Sequence, residues 1–248
     1  MRPRVGSLEW EHAGGPPLSL AQQIGVLAGM GVVLASDTIG RTIRSHQPPL
    51  VDLNPWAPPD TAAVAAAYDL ASSVLSPAYL EHSRRCVLFS AVAHAQLRHR
   101  EPVDLEALHV AVMLHDVGLF LPAQPDEQCF TVTGARQARR LLESAGWGSR
   151  RIDSVVTAIT ANLNPFVSSR AYGSLAHVFR VGGLIDVLAQ GWKVHPDNLA
   201  EILTHHPRGD LGPETHALVK DEVARHPRCR FATFGPVFPG LVARREFR

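Results

Sequence analysis

The stretch AVMLHDVGLF, Ala111 to Phe120, sets His115 beside Asp116 in the middle of an apolar run. A carboxylate buried without a partner costs on the order of several kcal/mol, so the pair either faces water or converges on something that justifies its burial. A His-Asp dipeptide alone says little, because chance supplies on the order of one in a chain of this composition. Two further segments carry the same anomaly. His82 lies near Leu80, Cys86 and Phe89 in PAYLEHSRRCVLF, and Asp186 sits inside VGGLIDVLAQ, where Gly182 and Gly183 permit another helix to come close. Two imidazoles and two carboxylates make a mixed nitrogen and oxygen set that suits Zn²⁺, Fe²⁺ or Mn²⁺ rather than a thiolate-loving ion. A satisfied polar core, with His-Asp hydrogen bonds fixing helix register, fits the same pattern, and periodicity does not separate the two.

The elements that must position these residues are helical. The chain has 248 residues, 46% hydrophobic and 19% charged, enough for one large domain or two small ones with an ample core. A net charge of +1 gives no bulk attraction to nucleic acid or an anionic membrane. Basic clusters such as Arg139-Arg140 and the run from Ala243 to Arg248 read as solvated faces and a tail. Three separated cysteines without a Cys-x-x-Cys pair exclude a disulfide scaffold and a thiolate zinc knuckle, and fit a reducing compartment. The apolar segment IGVLAGMGVVLAS is about a dozen residues, short for a bilayer, and starts too far behind Met1 for a secretion signal. The expectation is a buried helix on the main domain, in a cytoplasmic protein.

Three regions follow. Residues 1–59 form an N-terminal arm, poorly ordered to Pro17, with an accessory helix from about Leu18 to Ala35 and a proline-broken connection. Residues 60–230 form the main domain, and 231–248 a C-terminal tail. Within the main domain Asp60 or Thr61, Pro77 and Asp104 are helix-start residues, and Gly146 is a helix-end residue. Sustained two-residue alternation is missing, so the fold class is all-α, a helical bundle.

The order His, His-Asp, Asp across successive helices resembles the HD-domain superfamily of metal-dependent hydrolases. EHSRRCVLFSAVAHA is similar to its first ligand helix and HVAVMLHDVGLF to its central motif. TVTGARQARRLL, AYGSLAHVFRVGGLIDVLAQ and HHPRGD resemble the later segments of its cyanamide hydratase-like branch, so the likeness runs from about Asp60 to Arg230. The resemblance implies an HD-domain helical bundle with metal ligands His82, His115, Asp116 and Asp186. It also implies a single divalent ion, because His177 is the only histidine between Asp116 and Asp186, where two-metal members carry more. Zinc is expected first, with iron or manganese as alternatives. The chain departs from the branch at Asn162, where AITAN replaces a histidine, and at Thr131 and Thr133, where acidic residues are usual. Leu119 stands where cyclic-dinucleotide phosphodiesterases of the superfamily carry lysine, which weakens the case for a phosphate ester.

The resemblance implies a hydrolase or hydratase that adds metal-activated water to a small nitrile or amide-like molecule. Asp116 would bind metal and position water, and His177 is a candidate proton donor. Asn162, Thr131, Arg85 and Phe166 are candidate substrate contacts, inside an apolar wall of Val112, Leu119, Phe89 and Phe166. Two alternatives stand beside this. One is a phosphohydrolase of a nucleotide or other ester, with Arg85, Arg136 or Arg139 holding phosphate; the other is a degenerate, metal-stabilised binding protein. The expected partner is a small-molecule substrate, with no nucleic acid and no membrane, and a homo-oligomer is allowed. Arg208-Gly209-Asp210 reads as a turn and His205-His206 as a helix end.

Overall fold

The computed structural model describes residues 2–43, 47–97, 101–235 and 237–247. Met1 and Arg248, which belong to the expected arm and basic tail, lie outside them. The order is α1 (Leu8–His12), α2 (Leu20–Thr42), α3 (Ala62–Val74), α4 (Pro77–Ala95), α5 (Leu105–Leu114), α6 (Val117–Phe120) and α7 (Phe130–Ser144). Then come α8 (Ser149–Ala161), α9 (Ser169–Tyr172), α10 (Ser174–Val187), α11 (Pro196–His205), α12 (Leu211–Arg225), α13 (Arg230–Phe234) and α14 (Val237–Arg244). No strand occurs among the described residues, so the fold is all-α.

Local chemistry starts and stops these helices as expected. The Thr61, Ser76 and Asp104 side chains accept the backbone N–H groups of Val64, Tyr79 and Ala107, which opens α3, α4 and α5. Gly146, at φ +74°, turns the chain after α7 while its N–H and that of Trp147 cap the Glu143 and Leu142 carbonyls.

The main core lies among α4, α5, α7, α8 and α10, and α5 is buried from Ala107 to Leu114. That burial explains why the α5 sequence lacks a polar face. The α4–α10 contact is unusually close. A Cβ on Gly182 would stand 2.5 Å from Ser90 Oγ and 2.9 Å from the Cys86 carbonyl oxygen. Gly118 is equally constrained, because a Cβ there would collide with the Phe130 carbonyl at the start of α7.

Three expectations need correction. The first residues are packed, not loose: Val5 and Trp10 are buried in the main core, and Thr160 Oγ1 donates to the Gly6 carbonyl at 2.9 Å. Their glycines make left-handed turns at Gly6, Gly14 and Gly15, so composition marked turns that looked like disorder. The accessory helix α2 runs 23 residues and buries only one face, formed by Val26, Gly29, Met30, Val33 and Asp37. Leu20, Ile24, Leu27, Val32 and Ile39 are exposed, and by length and composition alone this helix is long enough to cross a membrane. The tail is also anchored. Phe231, Phe234 and Val242 are buried, Arg245 Nη1 pairs with buried Asp37 at 2.7 Å, and Phe247 packs on Phe89.

Candidate metal centre

His82 projects from the first turns of α4, His115 and Asp116 occupy the break between α5 and α6, and Asp186 lies near the end of α10. The α5–α6 break is what aims the central pair. His115 caps α5 and Asp116 opens the short α6, held against α7 by Gly118. All four side chains are buried, Asp186 completely.

His82 Nε2, His115 Nε2 and Asp116 Oδ2 converge: the carboxylate oxygen is 2.9 Å from His115 Nε2 and 3.6 Å from His82 Nε2. His115 Nδ1 donates to the Val112 carbonyl at 2.6 Å, which fixes the tautomer and directs the Nε2 lone pair inward. Donor atoms of these three residues lie within 4.8 Å of one another, a spacing a divalent ion can bridge. The donor chemistry therefore fits the ion that the sequence implies.

Asp186 approaches from the other side. Its Oδ2 is 2.5 Å from His82 Nδ1, so it stands behind the imidazole in a second cluster with Cys86. This carboxylate–histidine arrangement orients the ring. The expected set of four thus resolves into a converging triad, with Asp186 joined to it through His82.

The electrostatics follow from this packing. Burial alone would raise both carboxyls, but His115 and then His82 hold Asp116 below the usual carboxylate range, and Arg85 with His82 holds Asp186 far below it. Burial would lower His115, yet Asp116 and the Val112 carbonyl reverse this and raise it. Burial, reinforced by Asp186, pushes the Cys86 thiol well up, so it stays protonated.

A cavity of about 60 Å³ opens onto the triad. Leu119, Phe130, Leu163 and Val187 supply apolar wall, Tyr79 and Thr215 are bonded to each other at 2.9 Å, and Leu211 and Phe231 close the far side from α12 and α13. Asn162 lines it too, and its buried Oδ1 has no hydrogen-bond partner among the described residues.

Other expected contacts fall elsewhere. Arg85 is fully buried and occupied: Nε and Nη2 fork Asp186 at 2.7 and 3.0 Å, and Nη1 donates to the Pro207 and His206 carbonyls. Its fork leaves no face for substrate. Thr131 is held by Arg230 Nη2 at 2.5 Å, and Thr133 donates to Glu127, so neither faces the cavity. Phe166 is 59% exposed beside Gly29 of α2, because its loop turns outward. His177 donates Nδ1–H to the Val167 carbonyl at 2.5 Å and lies outside the cavity lining. Phe89 belongs to a separate apolar cluster, and Val112 sits behind His115. Arg136 and Arg139 pair with Glu11, Asp126, Glu127 and Asp153.

Arg180 was missed. It lines the cavity one helical face along from Gly183 and Val187, at spacings of three and four residues on α10. The signal was present, since an arginine in HVFRVGGLI is the same anomaly that singled out Asp186.

No curated protein registers as a match to the chain. The family profile described as HD domain matches residues 79–210, just over half of the chain, and that span holds all four of His82, His115, Asp116 and Asp186. The chain therefore belongs to the HD-domain family of metal-dependent hydrolases.

Proposed function

We propose that the protein is a single-metal hydrolase or hydratase that adds activated water to a small organic molecule, as in the cyanamide hydratase-like branch it resembles. One observation carries this: three converging donors, from His82, His115 and Asp116, at the base of a cavity of about 60 Å³. A volume near 30 Å³ is one water's share of the liquid, so the cavity suits a reacting group of a few heavy atoms, such as a nitrile or amide. A divalent ion bound there, zinc first among the candidates, supplies Lewis acidity that brings the pKa of water from about 16 towards ~7.

The chain's own residues do the rest. Asp186 holds His82 through Nδ1, and the Val112 carbonyl holds His115, so both Nε2 atoms point at the centre without reorganisation. Asp116 would help hold the ion, with its carboxylate also placed to orient water. Asn162 Oδ1, left without a protein donor, accepts a hydrogen bond from water or substrate. Leu119, Phe130 and Leu163 keep bulk water out. The second reading, phosphate ester hydrolysis, is common in the family and is favoured by the cation at Arg180. Three free cysteines fit a reducing, cytoplasmic compartment, and a net charge of +1 gives no bulk attraction to nucleic acid, which suits a protein that acts on a small molecule.

The test measures metal content and turnover on nitriles, amides and phosphate monoesters, for the wild type and Asp116→Asn. The variant is expected to lose metal affinity by roughly tenfold or more and to lose turnover with it. Turnover that survives Asp116→Asn overturns the proposal. A metal-dependent rise in thermal stability with no turnover on any panel would instead mark a binding protein.

A further inference from the structure

Arg180 and Arg230 are buried guanidinium groups at 7% and 1% exposure, and neither has a carboxylate partner among the described residues. Arg85, equally buried, is matched by Asp186. A buried cation without a counter-charge is costly, and arginine does not escape by losing its proton at neutral pH. Burial, with Arg230 adding to it, lowers Arg180 to about 9, which still leaves it charged.

The two Nη groups of Arg230 are held, while its buried Nε has no partner among the described residues. Arg230 donates to the Thr160 carbonyl at 2.7 Å, Asn164 Oδ1 at 3.1 Å and Thr131 Oγ1 at 2.5 Å, and it lies 4.7 Å over the Trp10 ring. Arg180 is held on one side: its hydrogen bond among the described residues runs from Nε to the Asn164 carbonyl at 2.5 Å, and the residue lines the cavity shared with His82, His115, Asp116 and Asn162. Asn164 thus joins the two cations through separate oxygens and fixes Arg180 by its Nε side. Asn162 Oδ1, without a partner among the described residues, adds a free polar group at the same cavity, and its amide, turned over, presents an NH₂ instead of an oxygen.

We propose that Arg180 is the specificity-determining residue of this site, holding an anionic oxygen group of the substrate, a phosphate or a carboxylate, in the cavity of the metal triad. The proposal rests on the reading of that cavity as the reaction site and narrows its substrate class to small molecules that carry an oxyanion group beside the reacting bond. A guanidinium presents paired N–H donors that match two oxygens of either group. It also supplies the cation that Leu119 does not. The bound anion neutralises the charge that folding left unpaired, so the empty site stores a destabilisation that ligand binding relieves.

The experiment uses the full chain, metal-free and Mn²⁺-loaded, titrated calorimetrically with inorganic phosphate and, separately, with acetate. Variants are Arg180→Met and Arg180→Lys. At least one anion is expected to bind the wild type, and the stronger one names the substrate's group. Arg180→Met should weaken that binding by roughly tenfold or more, with Arg180→Lys in between. Arg180→Met removes the donor to the Asn164 carbonyl together with the buried charge, so its melting temperature serves to establish that the variant folds. Its Mn²⁺ affinity should not fall, since a like charge near the ion has been removed, so failure of the anion reading is distinguishable from failure of the metal reading. Binding of neither anion to the wild type in either form, or equal affinity in Arg180→Met, overturns the proposal.

Discussion

Replacing Arg85 by methionine separates a buried structural ion pair from a substrate-holding arginine. Arg85 and Asp186 are both fully buried, with N–O distances of 2.7 and 3.0 Å across the fork. At an effective dielectric constant near 20, charges about 3 Å apart attract by ~5 kcal/mol. Desolvation of both groups offsets much of this in the intact protein, but removing one partner strands the other charge and typically costs about 3–5 kcal/mol. For a chain of this size each kcal/mol lowers the melting temperature by ~2–4 °C, so Arg85→Met should lower it by roughly 6–20 °C. Urea denaturation of the metal-free protein gives the free energy directly. In the double variant Arg85→Met/Asp186→Asn the losses should be far from additive, because neither charge is then left alone. A single variant within ~1 kcal/mol of wild type that nevertheless loses activity would refute this account and return Arg85 to the substrate.

Two further outcomes follow from packing and titration. His109 accepts from Tyr68 Oη at 2.9 Å and donates to the Trp56 carbonyl at 3.1 Å, and burial lowers its pKa from 6.5 to about 4. The unfolded chain therefore binds the proton first. This stability is complete above pH 6.5 and falls as the pH drops towards about 4, by up to ~3 kcal/mol; denaturation of His109→Gln across that window should show a flatter pH dependence. Gly182→Ala should destabilise by roughly 1–3 kcal/mol, since its Cβ meets the Ser90 backbone nitrogen at 2.6 Å and forces α4 from α10. Gly183→Ala, whose Cβ meets only Asn162 Oδ1 at 3.4 Å, should melt at or above wild type, and equal losses at the two positions would contradict the close approach.

The helical class was legible because capping residues and apolar periodicity agree with one another along the main domain: Thr61, Asp104 and Gly146 all act where their chemistry suggests. The triad was legible for a different reason. Ionic groups inside apolar runs are rare enough to demand a partner, and His82, His115 and Asp116 have one another. That criterion stated no direction, so it could not show that Asp186 meets His82 from behind, or that Arg85 belongs to Asp186 and not to a ligand. Loops were harder still. Phe166 looked like a wall residue from its type, but it is exposed, in a loop whose Asn164 carbonyl is held by Arg180, a contact that local pattern does not carry. The arm before Pro17 failed to read as structure because its burial rests on Trp10 and Val5, two long-range contacts that local pattern does not carry.

The family match stops at residue 210, yet Leu211, Thr215 and Phe231 form one side of the cavity. The wall of the chamber thus draws on two stretches of polypeptide, since Leu119, Phe130, Asn162, Leu163, Arg180 and Val187 lie inside the matched span. Changes confined to the downstream helices can alter the chamber's outline without touching His82, His115 or Asp116.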